Sequence, residues 1–305
     1  MKRCKLIYNP TAGNRSFPAK LDKVINRLQT RGFLVDIYRT TVKDDLYKGI
    51  ETIKKDNYHN IIAAGGDGSL SIIVNSMLKN NINIPIGIIP TGTANDFATY
   101  LNIPFDTEKA VDIISDKNIE SVDIGKINKK YFVNVCLVGE IASVSEDTNS
   151  EFKTLMGKLA YYLNGIKEIA NINPVPYRIE TTKSTIEEKL FMFVIMNSSG
   201  AGGFKNLNPG ASINDGLFDF IGVRFTSTRD LYKLPTLLMQ VLQGEHLSNK
   251  DVLHLKDKYF KIECLDSSSV THHCDIDGER GPELPLRISV LPGKLRMYSN
   301  KIKKH

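Results

Sequence analysis

Asn60-Ile61-Ile62-Ala63-Ala64 runs straight into Gly65-Gly66-Asp67-Gly68-Ser69, and Ile86-Gly87-Ile88-Ile89 runs into Pro90-Thr91-Gly92-Thr93-Ala94-Asn95-Asp96. Each apolar run has the length of a strand buried on both faces, and each glycine-bracketed aspartate loop leads into a helical pattern. Two such units side by side gather bare backbone N–H groups and carboxylates at one edge of a parallel sheet, where a polyphosphate and its metal can dock. One loop alone is also what an ordinary α/β connection uses. The pair favours phosphoryl transfer, which asks a protein for backbone donors, metal-binding carboxylates and a base for the nucleophile's proton.

Upstream, strand and helix signals alternate: strand Lys5 to Tyr8, helix Ala19 to Arg31 closed by Gly32, strand Val35 to Arg39, helix Asp44 to Lys55. Leu21, Val24, Ile25 and Leu28 place an apolar stripe against the sheet, and Pro18 stands near the helix start. Asn9-Pro10-Thr11-Ala12-Gly13 is a third small-residue loop at the same edge, either phosphate-facing backbone or a plain turn. Neither GxxxxGK[ST] nor GxGxxG occurs, so any nucleotide site is of another kind.

Beyond Val122 the texture changes to closely spaced β runs: Tyr131 to Val138, Tyr177 to Thr182, Leu190 to Met196, Leu217 to Phe225, Tyr259 to Cys264 and His272 to Ile276. That spacing predicts a mostly antiparallel sandwich, interrupted by helical stretches at Phe152 to Ala170 and Arg229 to Leu242. Leu286 to Leu291 and Leu295 to Tyr298 can return to the first domain. The expected division is residues 1–125 with a C-terminal return of 286–305, and residues 126–285.

The 305 residues are 41% hydrophobic and 24% charged, a globular composition that excludes disorder. The four cysteines form no CxxC pair, the N-terminus shows no signal-peptide core, and no apolar stretch nears the roughly 18 residues of a spanning helix. A reduced, cytosolic protein is the expectation. The net charge of +6 and the Lys301-Ile302-Lys303-Lys304 tail suit an anionic partner such as a lipid surface, or a solvated tail. Basic residues are spread out rather than clustered with aromatics, which argues against nucleic acid.

Asn214-Asp215-Gly216-Leu217-Phe218-Asp219 and Asp275-Ile276-Asp277-Gly278-Glu279 read singly as hairpin turns. Glu279, a carboxylate just past a tight turn, also suits a general base. His272-His273-Cys274 is no metal clasp, because adjacent strand residues point to opposite faces. Ser199-Gly200-Ala201-Gly202-Gly203-Phe204 is either a flexible loop touching substrate or a structural turn.

Taken in order, NPTAG at 9–13, GGDGS at 65–69, PTGTANDFA at 90–98, NDGLFD at 214–219 and DGE at 277–279 closely resemble the diacylglycerol kinase catalytic family, in particular soluble bacterial lipid kinases of the YegS/BmrU group. The resemblance covers essentially the whole chain, although GGDG alone is shared with NAD kinases and phosphofructokinases. It implies a three-layer α/β domain that binds ATP, a β-sandwich domain that takes the lipid, and an active site in the cleft between them. Carried over by position, ATP would contact Asn9, Pro10, Thr11, Ala12, Gly13, Thr40, Gly66, Asp67, Gly68, Ser69, Leu70, Ser71, Ile72 and Thr93. The catalytic set would be Glu279 as proton acceptor, with Asp67 and Asp96 and, less firmly, Lys158 and Asp123. A structural Mg²⁺ would sit on Asp215 with backbone oxygens near Ser212 and Leu217. Ser69 stands where the family usually has threonine, which keeps the hydroxyl. The implied partner is a lipid at the membrane surface, met by peripheral association through the basic tail and an apolar stretch such as Leu155 to Ile166; a homodimer stays open. The competing readings are a kinase for a soluble substrate in the manner of NAD kinase, and a nucleotide- or lipid-sensing protein without turnover.

Overall fold

Strands in the first unit come from the apolar runs. Lys2–Tyr8 (β1) pairs in parallel with Phe33–Arg39 (β2) on one side and Asn60–Gly65 (β3) on the other, and β3 pairs with Ile86–Pro90 (β4). The computed structural model describes residues 1–42, 45–55, 58–116, 118–139, 174–225, 227–266 and 273–300. These divide into two units, Met1–Val122 with Gly293–His305, and Asp123–Pro292.

In the strand order β2-β1-β3-β4 the chain steps one way from β1 to β2, then the other way to β3 and β4. Right-handed crossovers therefore put Phe17–Thr30 (α1) on one face, and Asp45–Glu51 (α2) with Asp67–Lys79 (α3) on the other. This gives three layers. Thr107–Asp116 (α5), which the sequence reading missed, follows the short helix Asp96–Tyr100 (α4) and packs against α1. Arg27 donates to both oxygens of Asp112 at 2.9 and 2.7 Å, which links α1 to α5. The segment read as one helix, Asp44 to Lys55, is α2 followed by a 3-10 turn at Thr52–Lys55, where the Thr52 hydroxyl donates to the Gly49 carbonyl at 2.8 Å.

The second unit is a sandwich. One sheet runs Val252–Asp257 (β12), Phe218–Val223 (β11), Met192–Met196 (β10), Val135–Val138 (β7), His273–Ile276 (β14) and Glu279–Glu283 (β15), every neighbour antiparallel. The other joins Leu286–Tyr298 (β16), Tyr259–Cys264 (β13), Val175–Thr181 (β8) and Thr185–Leu190 (β9). Their inner faces interdigitate Tyr177, Phe193, Phe218, Phe220 and Phe260, all buried. Phe193 stacks on Phe220 with ring centroids 4.9 Å apart, and Tyr177 meets Phe193 edge-on at 5.2 Å.

Three expected runs are organised differently. Tyr131 to Val138 is two strands, Lys130–Phe132 (β6) after the long Ile119–Ile127 (β5), then β7. Leu190 to Met196 breaks at Phe191, whose ring packs with Phe225 on the outer face of the first sheet. Leu286 to Tyr298 is one strand through Pro292-Gly293, and it carries the chain from the second unit back into the first, where Met297 pairs with Ile86. The stretch Phe152 to Ala170 and residue His272 lie outside the described residues.

Arg229 to Leu242 is a 3-10 turn, Thr228–Lys233, followed by an α-helix, Leu234–Gln243 (α6), with a proline in its first turn. Leu234 and Leu237 seal the outer face of the six-stranded sheet against Phe191, Val194, Ile221 and Val252. Gly244, at φ 77°, ends the helix, and the buried His246 beyond it has Nε2 3.0 Å from the Leu207 carbonyl.

Burial holds the His246 imidazole pKa below its ordinary 6.5, against the raising effect of its hydrogen bond to the Leu207 carbonyl. Below pH 6.5 the unfolded chain takes this proton and the folded chain resists it, so the contribution to stability is present above that pH and lost as pH falls through it. Urea melts at about pH 7.5 and about pH 5.5, either side of the ordinary imidazole value, should show a loss of stability on acidification that is smaller in His246→Gln.

Candidate active site

The carboxyl ends of β1, β3 and β4 are held level by the register pairs Tyr8↔Ala64 and Gly65↔Pro90, so three loops leave the sheet at one edge. Backbone touches backbone there. A Cβ on Gly13 would collide with the Thr91 carbonyl oxygen, a Cβ on Gly92 with Gly66 Cα, and one on Gly66 would stand 3.1 Å from Gly92 Cα. Thr91 N–H donates to the Gly65 carbonyl at 3.1 Å, and Asn9 N–H to the Ala64 carbonyl at 3.2 Å. Asn95, at φ 50°, clips the third loop by accepting from Gly92 N–H at 3.0 Å and donating to the Gly92 carbonyl at 2.6 Å. The structure thus brings together Asn9, Pro10, Thr11, Ala12, Gly13, Gly66 and the 91–95 loop that carries Thr93.

Within the first loop, Asn9 Oδ1 accepts from both the amide and the hydroxyl of Thr11, at 2.9 and 2.8 Å. α3 starts at Asp67 behind the side-chain-free cap Gly66, so Ser69 lies in the first turn. Leu70 N–H already donates to the Gly66 carbonyl at 3.1 Å, leaving Asp67, Gly68 and Ser69 as the first-turn donors, while Leu70, Ser71 and Ile72 are buried. Thr40 is also buried, and its amide and hydroxyl are both spent on the Tyr8 carbonyl at 3.1 and 3.3 Å.

Asp67 and Asp96 are joined. Asp67 Oδ2 accepts from Asp96 N–H at 3.1 Å and Oδ1 from Phe97 N–H at 3.2 Å, so this carboxylate caps α4. Burial raises its pKa, and those two amides oppose the rise.

In the second unit Asp277 and Gly278, at φ 53° and 84°, form the two-residue turn between β14 and β15, with Ile276 opposite Glu279. The hairpin reading holds, and the aspartate does more. Asp277 Oδ2 accepts from Val133 N–H at 2.7 Å, and Oδ1 from Asn134 and Val135 N–H at 2.9 and 3.0 Å. Those amides sit in the β6–β7 break, so the carboxylate replaces the ladder that the break removes. Glu279, half-buried, opens β15 directly after this fixed turn.

The Asn214 to Asp219 loop is tied down by acids. The buried Asp123 accepts from Gly216 N–H at 2.7 Å, and Asp215 Oδ1 accepts from Leu217 N–H at 3.0 Å. Asp215 Oδ2 pairs with Lys256 Nζ at 2.9 Å, which also lies 3.7 Å from Asp219, and Asp219 takes His254 Nε2 at 2.7 Å. Burial pushes the Asp219 carboxyl up, but His254, Asn208 and Lys256 hold it below its ordinary value. The Asp215 carboxylate is a hard-oxygen donor of the kind Mg²⁺ takes, and Lys256 competes for it. Among the described residues no cluster of three His, Cys, Asp or Glu side chains is poised for a metal.

The Ser199 to Phe204 loop is pinned rather than flexible. Ala201 and Phe204 exchange two backbone hydrogen bonds of 3.1 Å, both are buried, and Asn134 Nδ2 donates to the Gly200 carbonyl at 2.9 Å. Sequence reading missed Asn95, Asn134, Lys256 and the three-amide role of Asp277; only the left-handed preference of Asp-Gly pointed at the last. Lys158 and the stretch Leu155 to Ile166 lie outside the described residues.

Residues 3–127 match the family model of the diacylglycerol kinase catalytic domain, and residues 134–299 that of the YegS C-terminal NAD kinase beta sandwich-like domain. The chain is 33% identical to a diacylglycerol kinase of Staphylococcus carnosus (strain TM300), over 98% of this chain and 96% of that one. It is 31% identical to one of Bacillus subtilis (strain 168), over 93% and 92%. A crystal structure from Bacillus anthracis str. Sterne superposes with a TM-score of 0.83 at 26% identity, over 98% of this chain and 95% of that one. The chain belongs to the diacylglycerol kinase family. It is a lipid kinase, a transferase that draws its phosphoryl group from ATP.

Gly92→Ala should force the second and third loops apart and weaken ATP binding, read by calorimetry, about tenfold or more. Asp277→Ala leaves three amides without their acceptor and should cost about 3 kcal/mol or more in urea unfolding, whereas Asp277→Asn, which keeps one oxygen and tolerates the left-handed backbone, should cost clearly less.

Proposed function

We propose that the protein transfers the γ-phosphoryl group of ATP to the free hydroxyl of diacylglycerol or a closely related lipid. The observation that carries this reading is the side-chain-free meeting of three loops at the carboxyl edge of a parallel sheet, in a chain whose family relatives are diacylglycerol kinases.

In this reading the first-turn amides of α3 hold the phosphates, and the 9–13 and 91–95 loops wall the cradle around them. Backbone N–H groups suit this work because they are fixed before the nucleotide arrives and need no reorganisation as charge moves. Asp67, by capping α4, fixes where the Asp96 side chain starts, so the two acids act as a pair in the nucleotide network. Glu279 accepts the proton of the lipid hydroxyl; the oxygen bonds to the γ-phosphorus, and the bond to the β,γ-bridging oxygen breaks to release ADP. Asp277 supports that role at one remove, since its three amide bonds fix the turn from which Glu279 projects.

Mg²⁺, when bound, supplies charge neutralisation; Asp215 with the carbonyls of Ser212 and Leu217 would hold a structural ion, balanced against Lys256. Peripheral contact with the membrane follows from the substrate. No helix among the described residues is long and apolar enough to cross a bilayer, and the net charge of +6 favours an anionic surface.

Incubation with labelled ATP and vesicles that contain diacylglycerol should yield labelled phosphatidic acid. Glu279→Gln should lower that turnover by roughly 10² or more with thermal stability unchanged. Wild-type turnover in the mutant would remove Glu279 from its role.

A further inference from the structure

α6 and the 3-10 turn before it turn one face to the sheet and leave the other in solvent. On the solvent face Tyr232, Met239 and Leu242 are 76%, 55% and 45% exposed. Met239 and Leu242, three apart, share one face of α6, and Tyr232 stands in the 3-10 turn that leads into it, with the exposed Pro235 and Thr236 between. Single exposed apolar side chains are ordinary; a tyrosine, a methionine and a leucine exposed along one short turn-and-helix segment are not.

The charge around the stripe is one-sided. From Leu234 to Gln243 there is no acidic residue. Arg229 is exposed one turn before Tyr232, Lys250 is exposed next to the Asn249 that donates to Gln240 at 2.6 Å, and Lys205 is exposed next to the Asn206 that lies against Gly244. The nearby acids Asp230 and Asp251 are both taken by Lys233, at 3.1 and 3.2 Å, which leaves Glu245 as the exposed acid at the helix end.

A second copy of the chain is a poor occupant for this surface. Three partly exposed side chains on a short turn-and-helix segment fall far short of the roughly 800 Å² per partner that a stable dimer buries. A bilayer suits it. Short apolar side chains with a tyrosine at one end, rimmed by Lys and Arg, are what a helix lying in the headgroup plane presents, and a lipid kinase must reach that plane.

We propose that this stripe is a docking surface for an anionic lipid bilayer, with Tyr232, Met239 and Leu242 among the upper acyl chains and Arg229, Lys205 and Lys250 against lipid phosphates. The proposal rests on the reading of the protein as a kinase for a bilayer-resident lipid.

The test is co-sedimentation of the full chain with phosphatidylcholine vesicles, with and without phosphatidylglycerol. Wild type should bind the phosphatidylglycerol vesicles more tightly, and Tyr232→Ser/Met239→Ser should reduce that binding by about tenfold or more at an unchanged melting temperature. Arg229→Gln should weaken binding only where phosphatidylglycerol is present. Turnover of a short-chain, monomeric diacylglycerol should be the same in all variants; no turnover in any of them would count against the proposed function while vesicle binding still reports on the stripe. Wild-type vesicle binding by the double variant overturns the proposal, as does a solution dimer that the double variant breaks with vesicle binding intact.

Discussion

Peptide backbone meeting peptide backbone without intervening side chains is the constraint around which the first unit is built. Gly92 stands so close to Gly66 that it accepts no Cβ, a Cβ on Gly66 would be tight, and Gly13 abuts the Thr91 carbonyl as closely as Gly92 does Gly66. Everything nearby serves that approach: the strand register levels the loop origins, Asn95 takes a left-handed conformation to clip Gly92, and Asp67 anchors α4 from the neighbouring loop. A parallel sheet alone would not bring these loops into contact. The glycines do, because they leave no side chain to hold the backbones apart.

The second unit uses acids for a parallel purpose. Asp277 gathers three amides from a strand break, Asp123 holds Gly216, and Asp219 and Asp215 share Lys256. Of these, the first two carboxylates accept from backbone amides. Asp215 is different, because its charge is already met by a lysine; any cation that binds there does so against a resident positive charge.

Much of this was legible in the chain itself. The parallel strands could be read because their apolar runs are continuous, and the six residues of β13 were read as they stand, because Tyr259 to Cys264 alternate cleanly. Boundaries failed where local signals conflict with tertiary ones. Phe191 looks like the middle of a strand but turns to a different core, and Val133-Asn134 look like strand but are held open by a carboxylate 143 positions away. β9 was missed because Glu187, Glu188 and Lys189 dilute its apolar signal at a sheet edge. The candidate site was visible as loops and not as contacts: glycine spacing shows where backbone can approach, but not that Gly92 approaches Gly66. Lys256 gave no signal at all, since nothing in sequence distinguishes a lysine that pairs with a distant aspartate from one in solvent.

The thirteen residues of β16 have a further implication for how the polypeptide is made. From Gly293 onward the chain belongs to the first unit, where Met297 lies beside Ile86, the Tyr298 hydroxyl meets Asn60, and Ser299 binds Glu120 and the Asn118 amide. On the ribosome, the unit begun first therefore lacks an integral strand until the second unit has been made. Nascent folding of that unit cannot finish domain by domain from the amino end, and the intervening sandwich must be threaded out before the first unit closes its own hydrogen bonds.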